Sequence, residues 1–161
     1  MKKSEQASAH HLVGVAVTLA VAGMIALLAC ALLRSNPTPI SVGQFTVTPS
    51  LGGSGMSAGY GTIRNSSDKR DRLLEVRFDG ADRIELHETV SQNAIATMHS
   101  VALPLELAAG EELRFEPLTR HLMIFAKPGA FSLGDRREMT FVFENAGSVS
   151  TAVNVNYPAK G

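Results

Sequence analysis

The sequence predicts an all-β domain carried behind one apolar N-terminal segment. Short runs of alternating apolar and polar residues recur through residues 40–157, and such alternation puts every second side chain on one face of a strand. Clusters of Gly, Asn, Asp and Ser punctuate these runs at roughly the 8–12-residue intervals of a sandwich or barrel. No stretch after residue 34 sustains a helical period.

Residues 1–11 form a short tail, in which His10 and His11 read as solvated. Leu12 to Leu33 carries no charge and as a helix is long enough to cross a bilayer core of about 30 Å. Lys2, Lys3 and the terminal amine precede it, which favours a cytoplasmic N-terminus and a domain in the periplasm or outside the cell. This single-pass anchor in the inner membrane ranks first. A lipoprotein ranks second, because Leu27-Leu28-Ala29-Cys30 is similar to a lipobox, although the apolar Ala31-Leu32-Leu33 that follows is unusual. A cleaved signal at Ala29-Cys30-Ala31 ranks third, since signal cores are usually about 7–15 residues. All three deliver the same domain to the same side.

Residues 34–39 form a linker around Pro37 and Pro39, which cannot propagate a helix. The domain then occupies residues 40–158. Ile40 to Thr48 alternates as a first strand, with Val42, Phe45 and Val47. Leu51 to Gly59, rich in glycine and serine, reads as a mobile loop. Tyr60 to Arg64 is a strand stopped by Asn65-Ser66-Ser67-Asp68. Leu73 to Phe78 and Arg83 to Thr89 flank the turn Asp79-Gly80-Ala81-Asp82. Ala94 to Val101 is a short strand, and Leu103 to Leu107 leads to a turn at Ala109-Gly110-Glu111. Glu112 to Glu116, Leu122 to Ala126, Glu138 to Glu144 and Val149 to Tyr157 complete the set.

Composition narrows the chemistry. Lys+Arg and Asp+Glu are both 15, so no basic surplus points to nucleic acid, and Trp is absent. The single cysteine, Cys30, lies in the apolar segment. The domain therefore has no disulfide, thiolate zinc site or thiol nucleophile. No phosphate loop, nucleophile elbow or His-Glu-x-x-His occurs. A binding protein is expected, not an enzyme.

The candidate site is built from histidine and methionine. In Arg120-His121-Leu122-Met123-Ile124-Phe125, Leu122 and Ile124 suit the core, which leaves His121 and Met123 together on the other face. Ile84 and Leu86 likewise leave His87 with Arg83 and Glu85. Met98 follows His87 after ten residues. A lone histidine is more often a structural or surface residue than a ligand, and a lone methionine is usually core filler. Here both stand opposite the apolar positions. Two imidazoles and two thioethers are neutral, soft or borderline donors suited to Cu(I) or Ag(I) and poorly suited to zinc. A blue-copper electron-transfer site would need a thiolate, and none is present. His87, Met98, His121 and Met123 are thus expected to meet on the outer, wetter face around one soft ion. His99 falls on the other face from Met98, and Met56 could swing over the site from its loop. Glu85 and Glu88 fall on opposite faces and read as solvated charges. Asn65-Ser66-Ser67 fits a glycosylation sequon, a frequent chance match.

Ten residues between His87 and Met98, twenty-two to His121, then His121-x-Met123 resemble the H-x10-M-x21-H-x-M signature of periplasmic copper chaperones of the PCu(A)C type. Tyr60 to Asn65, Asp71 to Leu74, Glu85 to Thr89, Leu113 to Pro117, Gly134-Asp135 and Thr140 to Glu144 with Gly147 extend the resemblance over roughly residues 40–157. It implies a cupredoxin-like Greek-key β-sandwich binding one Cu(I) at His87, Met98, His121 and Met123. It further implies transfer by ligand exchange to the CuA subunit of cytochrome c oxidase or to another copper chaperone. Three departures stand out. The second spacer is one residue longer, Leu118-Thr119-Arg120 replaces the family's Gly-Gly and is expected to set a bulky cation beside the site, and His99 stands where Arg is common. A copper buffer or resistance protein, and a metal-free interaction or assembly module, are the alternatives.

Overall fold

The structure, a computed structural model, describes residues 39–50, 53–92 and 95–158. The expected tail, the apolar segment 12–33 and nearly all of the linker lie outside the described residues. Among the described residues no helix is long and apolar enough to cross a membrane, and the regular elements are strands.

Eleven strands follow one another: β1 (Ile40–Val42), β2 (Thr46–Val47), β3 (Met56–Asn65), β4 (Asp71–Phe78), β5 (Arg83–Gln92), β6 (Ile95–Val101), β7 (Leu105–Leu107), β8 (Glu112–Phe115), β9 (Arg120–Phe125), β10 (Arg136–Phe143) and β11 (Gly147–Val155). They form a continuous ladder in the order β6-β5-β9-β3-β2-β11-β10-β4-β7, with β1 and β8 also paired to β3. One core takes side chains from both ends of this ladder, among them Leu86, Leu122 and Ile124 from β5 and β9 and Leu73, Phe141 and Val153 from β4, β10 and β11. A sheet whose two ends share a core must fold back over it. Phe45 sits in the middle, with ring centroids 5.6 Å from Phe115 and 4.9 Å from Phe141.

The expected first strand is present but broken. Ile40–Val42 pairs with Asn65–Ile63, and Thr46–Val47 pairs with Tyr60–Gly59. Residues 43–45 thus oppose only Gly61 and Thr62, which is a bulge. It turns Phe45 into the core over Gly61, where an added Cβ would lie 2.5 Å from the phenyl ring.

The expected loop over Leu51–Gly59 needs correction. Met56 to Gly59 belong to β3 and pair with Phe125 to Leu122. Ser57 and Gly59 stand opposite Ile124 and Leu122, and Ser57 is only 1 % exposed. Small residues there let the β9 core side chains fit beneath β3. β7 is a further strand, pairing with Asp71–Leu73.

β8 and β9 run along the same edge of β3, and the four residues Glu116 to Thr119 loop out between them. The amide of Glu116 donates to the Arg120 carbonyl at 2.7 Å, closing the excursion at its base. Leu118 at its tip is exposed and has φ 64°.

Candidate metal centre

Strand register settles which side chains share a face. His87 on β5 stands directly opposite His121 on β9 and Ser100 on β6. One row along, Glu85 faces Met123, which in turn faces Ala58 of β3. One row the other way, Thr89 faces Met98. All four expected donors therefore lie on one face, opposite the buried Leu86, Leu122 and Ile124.

The four are not equally close. The imidazoles of His87 and His121 are edge to face, with centroids 5.9 Å apart. Met123 is diagonal to His87 across β5 and β9, where Cβ atoms are within about 7–8 Å. Met98 is also diagonal to His87 but across the other flank of β5. Met98 and Met123 are thus two strands and four residues out of step, about 16 Å apart at Cα from the usual strand spacing and rise. His87, His121 and Met123 form a group, with Met98 as an outlier on the edge strand.

Burial follows the same gradient, and the face is not uniformly wet as the alternation implied. His121 is 5 % exposed, His87 and Met123 are half-buried, and Met98 is 50 % exposed. Tyr60 of β3 covers part of His121, with ring centroids 6.3 Å apart. Burial pushes the His121 imidazole below its ordinary value, the Thr119 carbonyl opposes this, and neighbouring His87 adds to it. A neutral His121 at neutral pH is the result.

Each ring is held by a partner on one nitrogen. His121 Nδ1–H donates to the Thr119 carbonyl at 3.3 Å, which leaves the lone pair on Nε2. The same carbonyl accepts from the Thr89 amide at 3.0 Å, so the excursion between β8 and β9 ties both strands together. His87 Nε2 lies 2.8 Å from Glu85 Oε2. A carboxylate only accepts, so Nε2 carries the proton. His87 Nδ1 is buried and has no hydrogen-bond partner. An orphaned buried nitrogen demands an explanation, and a lone pair presented to an ion is one. Carbonyl and carboxylate partners of this kind hold metal-binding histidines in one tautomer.

Glu85 is therefore not a freely solvated charge. Its bond to His87, opposed by burial and helped by Arg83, holds its carboxyl below the usual range. The i, i+2 spacing of Glu85 and His87 on one strand face was the signal for this contact. Glu88 does fall on the other face. It accepts from Arg120 Nη2 at 3.0 Å and lies 4.0 Å from His99 Nε2. That corrects the expectation for Arg120, whose guanidinium points away from His121. Met56 begins β3 on the donors' face, opposite Phe125 and diagonal to Met123. The Asn65 sequon is a chance match, since its buried Nδ2 donates to the carbonyls of Lys69, Leu107 and Ala108.

Among the described residues no three His, Cys, Asp or Glu side chains assemble as a metal site. Thioethers beside the imidazoles would favour a soft ion on this face.

The model of a family described as "Putative lipoprotein LpqE-like" matches residues 40–155. The chain belongs to the LpqE-like family. LpqE-like chains are of the PCuAC type. Putative lipoprotein Lxx21020 of Leifsonia xyli subsp. xyli is 27% identical over 103 residues, covering 64% of this chain and 62% of that protein. Uncharacterized protein RP573 of Rickettsia prowazekii is 28% identical over 89 residues, covering 55% and 49%. The match thus spans about half to three-fifths of these relatives. Among solved structures, the copper-bound PCuAC domain from PmoF2 has a TM-score of 0.59 at 23% identity, covering 74% of this chain and 94% of that one. The apo PmoF2 PCuAC domain gives 0.60 at 22%, covering 76% and 93%. Apo-DR1885 from Deinococcus radiodurans gives 0.54 at 21%, covering 76% and 83%. These likenesses establish that this LpqE-like chain has the PCuAC fold, in keeping with a cupredoxin-like sheet.

Proposed function

We propose that this protein is an extracytoplasmic, membrane-associated copper carrier that binds one Cu(I) through His87, His121 and Met123, with Met98 an outer donor that reaches the ion only when edge strand β6 shifts toward it. The observation that carries the reading is the buried, partnerless Nδ1 of His87 beside His121 and Met123. The PCuAC fold and the copper-bound PmoF2 domain support it. Four neutral donors leave a monovalent ion with a single net charge, which a half-buried face tolerates better than a divalent one. The donors are graded, so exchange begins at exposed Met98 and ends at buried His121. An acceptor's donors replace them one by one: each bond from copper to a donor of this chain breaks as one to the acceptor forms, and the copper stays Cu(I). The acceptor is the CuA subunit of cytochrome c oxidase or another copper chaperone. Holding the carrier at the membrane raises its effective concentration toward such an acceptor. The lipoprotein names of the family and of the Leifsonia relative support attachment at the outer side. Intact mass separates the routes: an uncleaved helix keeps the residues before Cys30, a lipoprotein starts at acylated Cys30, and a cleaved signal leaves a shortened chain without the acyl groups.

Anaerobic Cu(I) titration of the full-length chain against a chromogenic competitor tests the reading. One ion per chain is expected, with loss on His87→Ala or His121→Ala and on the double change Met98→Leu with Met123→Leu. Binding that survives all three variants overturns this donor set, and a wild type that binds no Cu(I) makes the protein a metal-free sandwich module instead. Deleting the gene separates carrier from buffer. A carrier's loss lowers CuA occupancy at limiting copper and is rescued by excess, whereas a buffer's loss spares CuA and sensitises cells to copper.

A further inference from the structure

We infer that Glu85 is the positioning residue of the centre: it fixes His87 as an Nδ1 donor and is itself held in place by Arg83 and Phe125. The inference rests on the copper reading and deepens it. The contacts form a chain along one face of β5. The guanidinium of Arg83 lies 4.1 Å from the Phe125 ring centroid, a cation–π contact that pins its position. Arg83 Nη1 donates to Glu85 Oε1. The other carboxylate oxygen, Oε2, accepts a hydrogen bond from His87 Nε2–H at 2.8 Å. Glu85 is thus gripped at one oxygen and orients the imidazole with the other.

The consequence is chemical. A neutral imidazole has one protonated and one bare nitrogen, and the carboxylate decides which is which. With Nε2–H bound to Glu85, Nδ1 is bare, and this is the atom left buried without a partner. Without Glu85 the ring is free to flip or to move its proton, and Nδ1 is no longer held as the bare nitrogen. Register adds a second role. Glu85 stands directly opposite Met123, so its carboxylate lies beside the ion's expected place. There it offsets the positive charge that four neutral donors leave uncancelled. Arg83 and His87 each engage one carboxylate oxygen, which disfavours Glu85 as a ligand itself.

Glutamine and alanine separate the two roles. Glu85→Gln keeps an oxygen able to accept from Nε2–H and removes the charge; Glu85→Ala removes both. Nitrogen-15 NMR of the full-length chain in detergent micelles reads the His87 tautomer without metal, and competition with bicinchoninate reads Cu(I) affinity. The apo wild type should show the Nε2–H form, kept in Glu85→Gln and mixed in Glu85→Ala. Cu(I) affinity should fall about 10- to 100-fold in Glu85→Ala, as for other losses of a ligand's hydrogen-bond partner, and by less in Glu85→Gln. Unchanged melting temperatures would show that neither variant acts through folding. An Nδ1–H tautomer in the wild type, or wild-type copper affinity in Glu85→Ala, overturns the inference. A wild type that binds no Cu(I) yet shows the Nε2–H form sinks the copper reading and leaves the positioning contact standing.

Discussion

His87 and His121 face each other across β5 and β9, their ring centroids 5.9 Å apart, each held at one nitrogen and bare at the other. The partners differ in kind. His87 is oriented by a side-chain carboxylate on its own strand, and His121 by the Thr119 main-chain carbonyl. A carbonyl cannot be deleted by mutation, so the second ring is controlled by the backbone of the Glu116–Thr119 excursion. Disturbing that loop should be felt at His121 before any donor is touched.

The two methionines should be unequal. Met123 shares β9 with His121 and is half-buried, whereas Met98 sits on edge strand β6 at 50 % exposure. Met98→Leu should weaken Cu(I) binding about tenfold, or about 1.4 kcal/mol, and Met123→Leu at least about ten times more. The same competition titration on both single variants checks this. Equal losses would mean the edge strand closes over the ion and Met98 is an inner donor.

Leu118 occupies a conformation that suits glycine. Its φ of 64° lies in the left-handed region, where a Cβ costs about 1 kcal/mol or more. At 82 % exposure its side chain recovers little of that through burial. Leu118→Gly should therefore be more stable than Leu118→Ala by about 1 kcal/mol in urea unfolding. Only the variant without a Cβ relieves the strain. Equal stabilities would show that the excursion relaxes around any residue.

Much of this arrangement is readable in the sequence, and the failures have physical causes. The alternation around Leu122 and Ile124, and around Ile84 and Leu86, assigns both histidines and Met123 to their face, because a period of two is all that a strand's faces require. Register is different, since it depends on pairing between distant segments. The offset that separates Met98 from Met123 was therefore not visible. Glycine misled in a specific way. Gly59 lies against Leu122, its added Cβ meeting the Leu122 Cβ at 3.2 Å. The residue that looked like loop material is instead demanded by close packing. Arg120 was set beside the site through its neighbour His121, although adjacent strand residues point apart and Arg120 binds Glu88.

Gly61 offers a sharper test of the same packing. A Cβ there would lie 2.5, 2.6 and 2.8 Å from three Phe45 ring atoms, and Phe45 is wholly buried between Phe115 and Phe141. The ring has no free volume to enter. Gly61→Ala should cost about 1–3 kcal/mol, as overpacking generally does, despite the better strand propensity of alanine. Adding Phe45→Leu should recover part of the loss. If Gly61→Ala melts like the wild type, the bulge at residues 43–45 is soft enough to move Phe45 aside.

Acid sensitivity should centre on Asp71. Its carboxylate is 4 % exposed and accepts from the amides of Arg72, Asn145 and Ala146 at 2.8, 2.9 and 2.9 Å, and from Asn145 Nδ2 at 3.2 Å. Burial alone would raise its pKa, but the four hydrogen bonds together outweigh it and hold the group below its ordinary value. The folded state thus binds its proton more weakly than the unfolded chain, whose carboxyl titrates near about 3.9. The stabilisation is complete above about pH 4 and is lost as pH falls through the lower folded-state value. The carboxyls of Glu75 and Glu144 are lowered first by arginines near the surface, and salt screens such pairs. Glu85 is lowered first by His87, and Asp135 first by the Ser132 amide with Arg137 adding to it. The Asp71 contacts are with uncharged donors, so its share of the acid limb should persist in high salt. Asp71→Asn should cost about 1–3 kcal/mol at neutral pH, because the new amide faces a backbone N–H, and should flatten the salt-resistant limb. An acid limb as steep in that variant as in the wild type would place the sensitivity elsewhere.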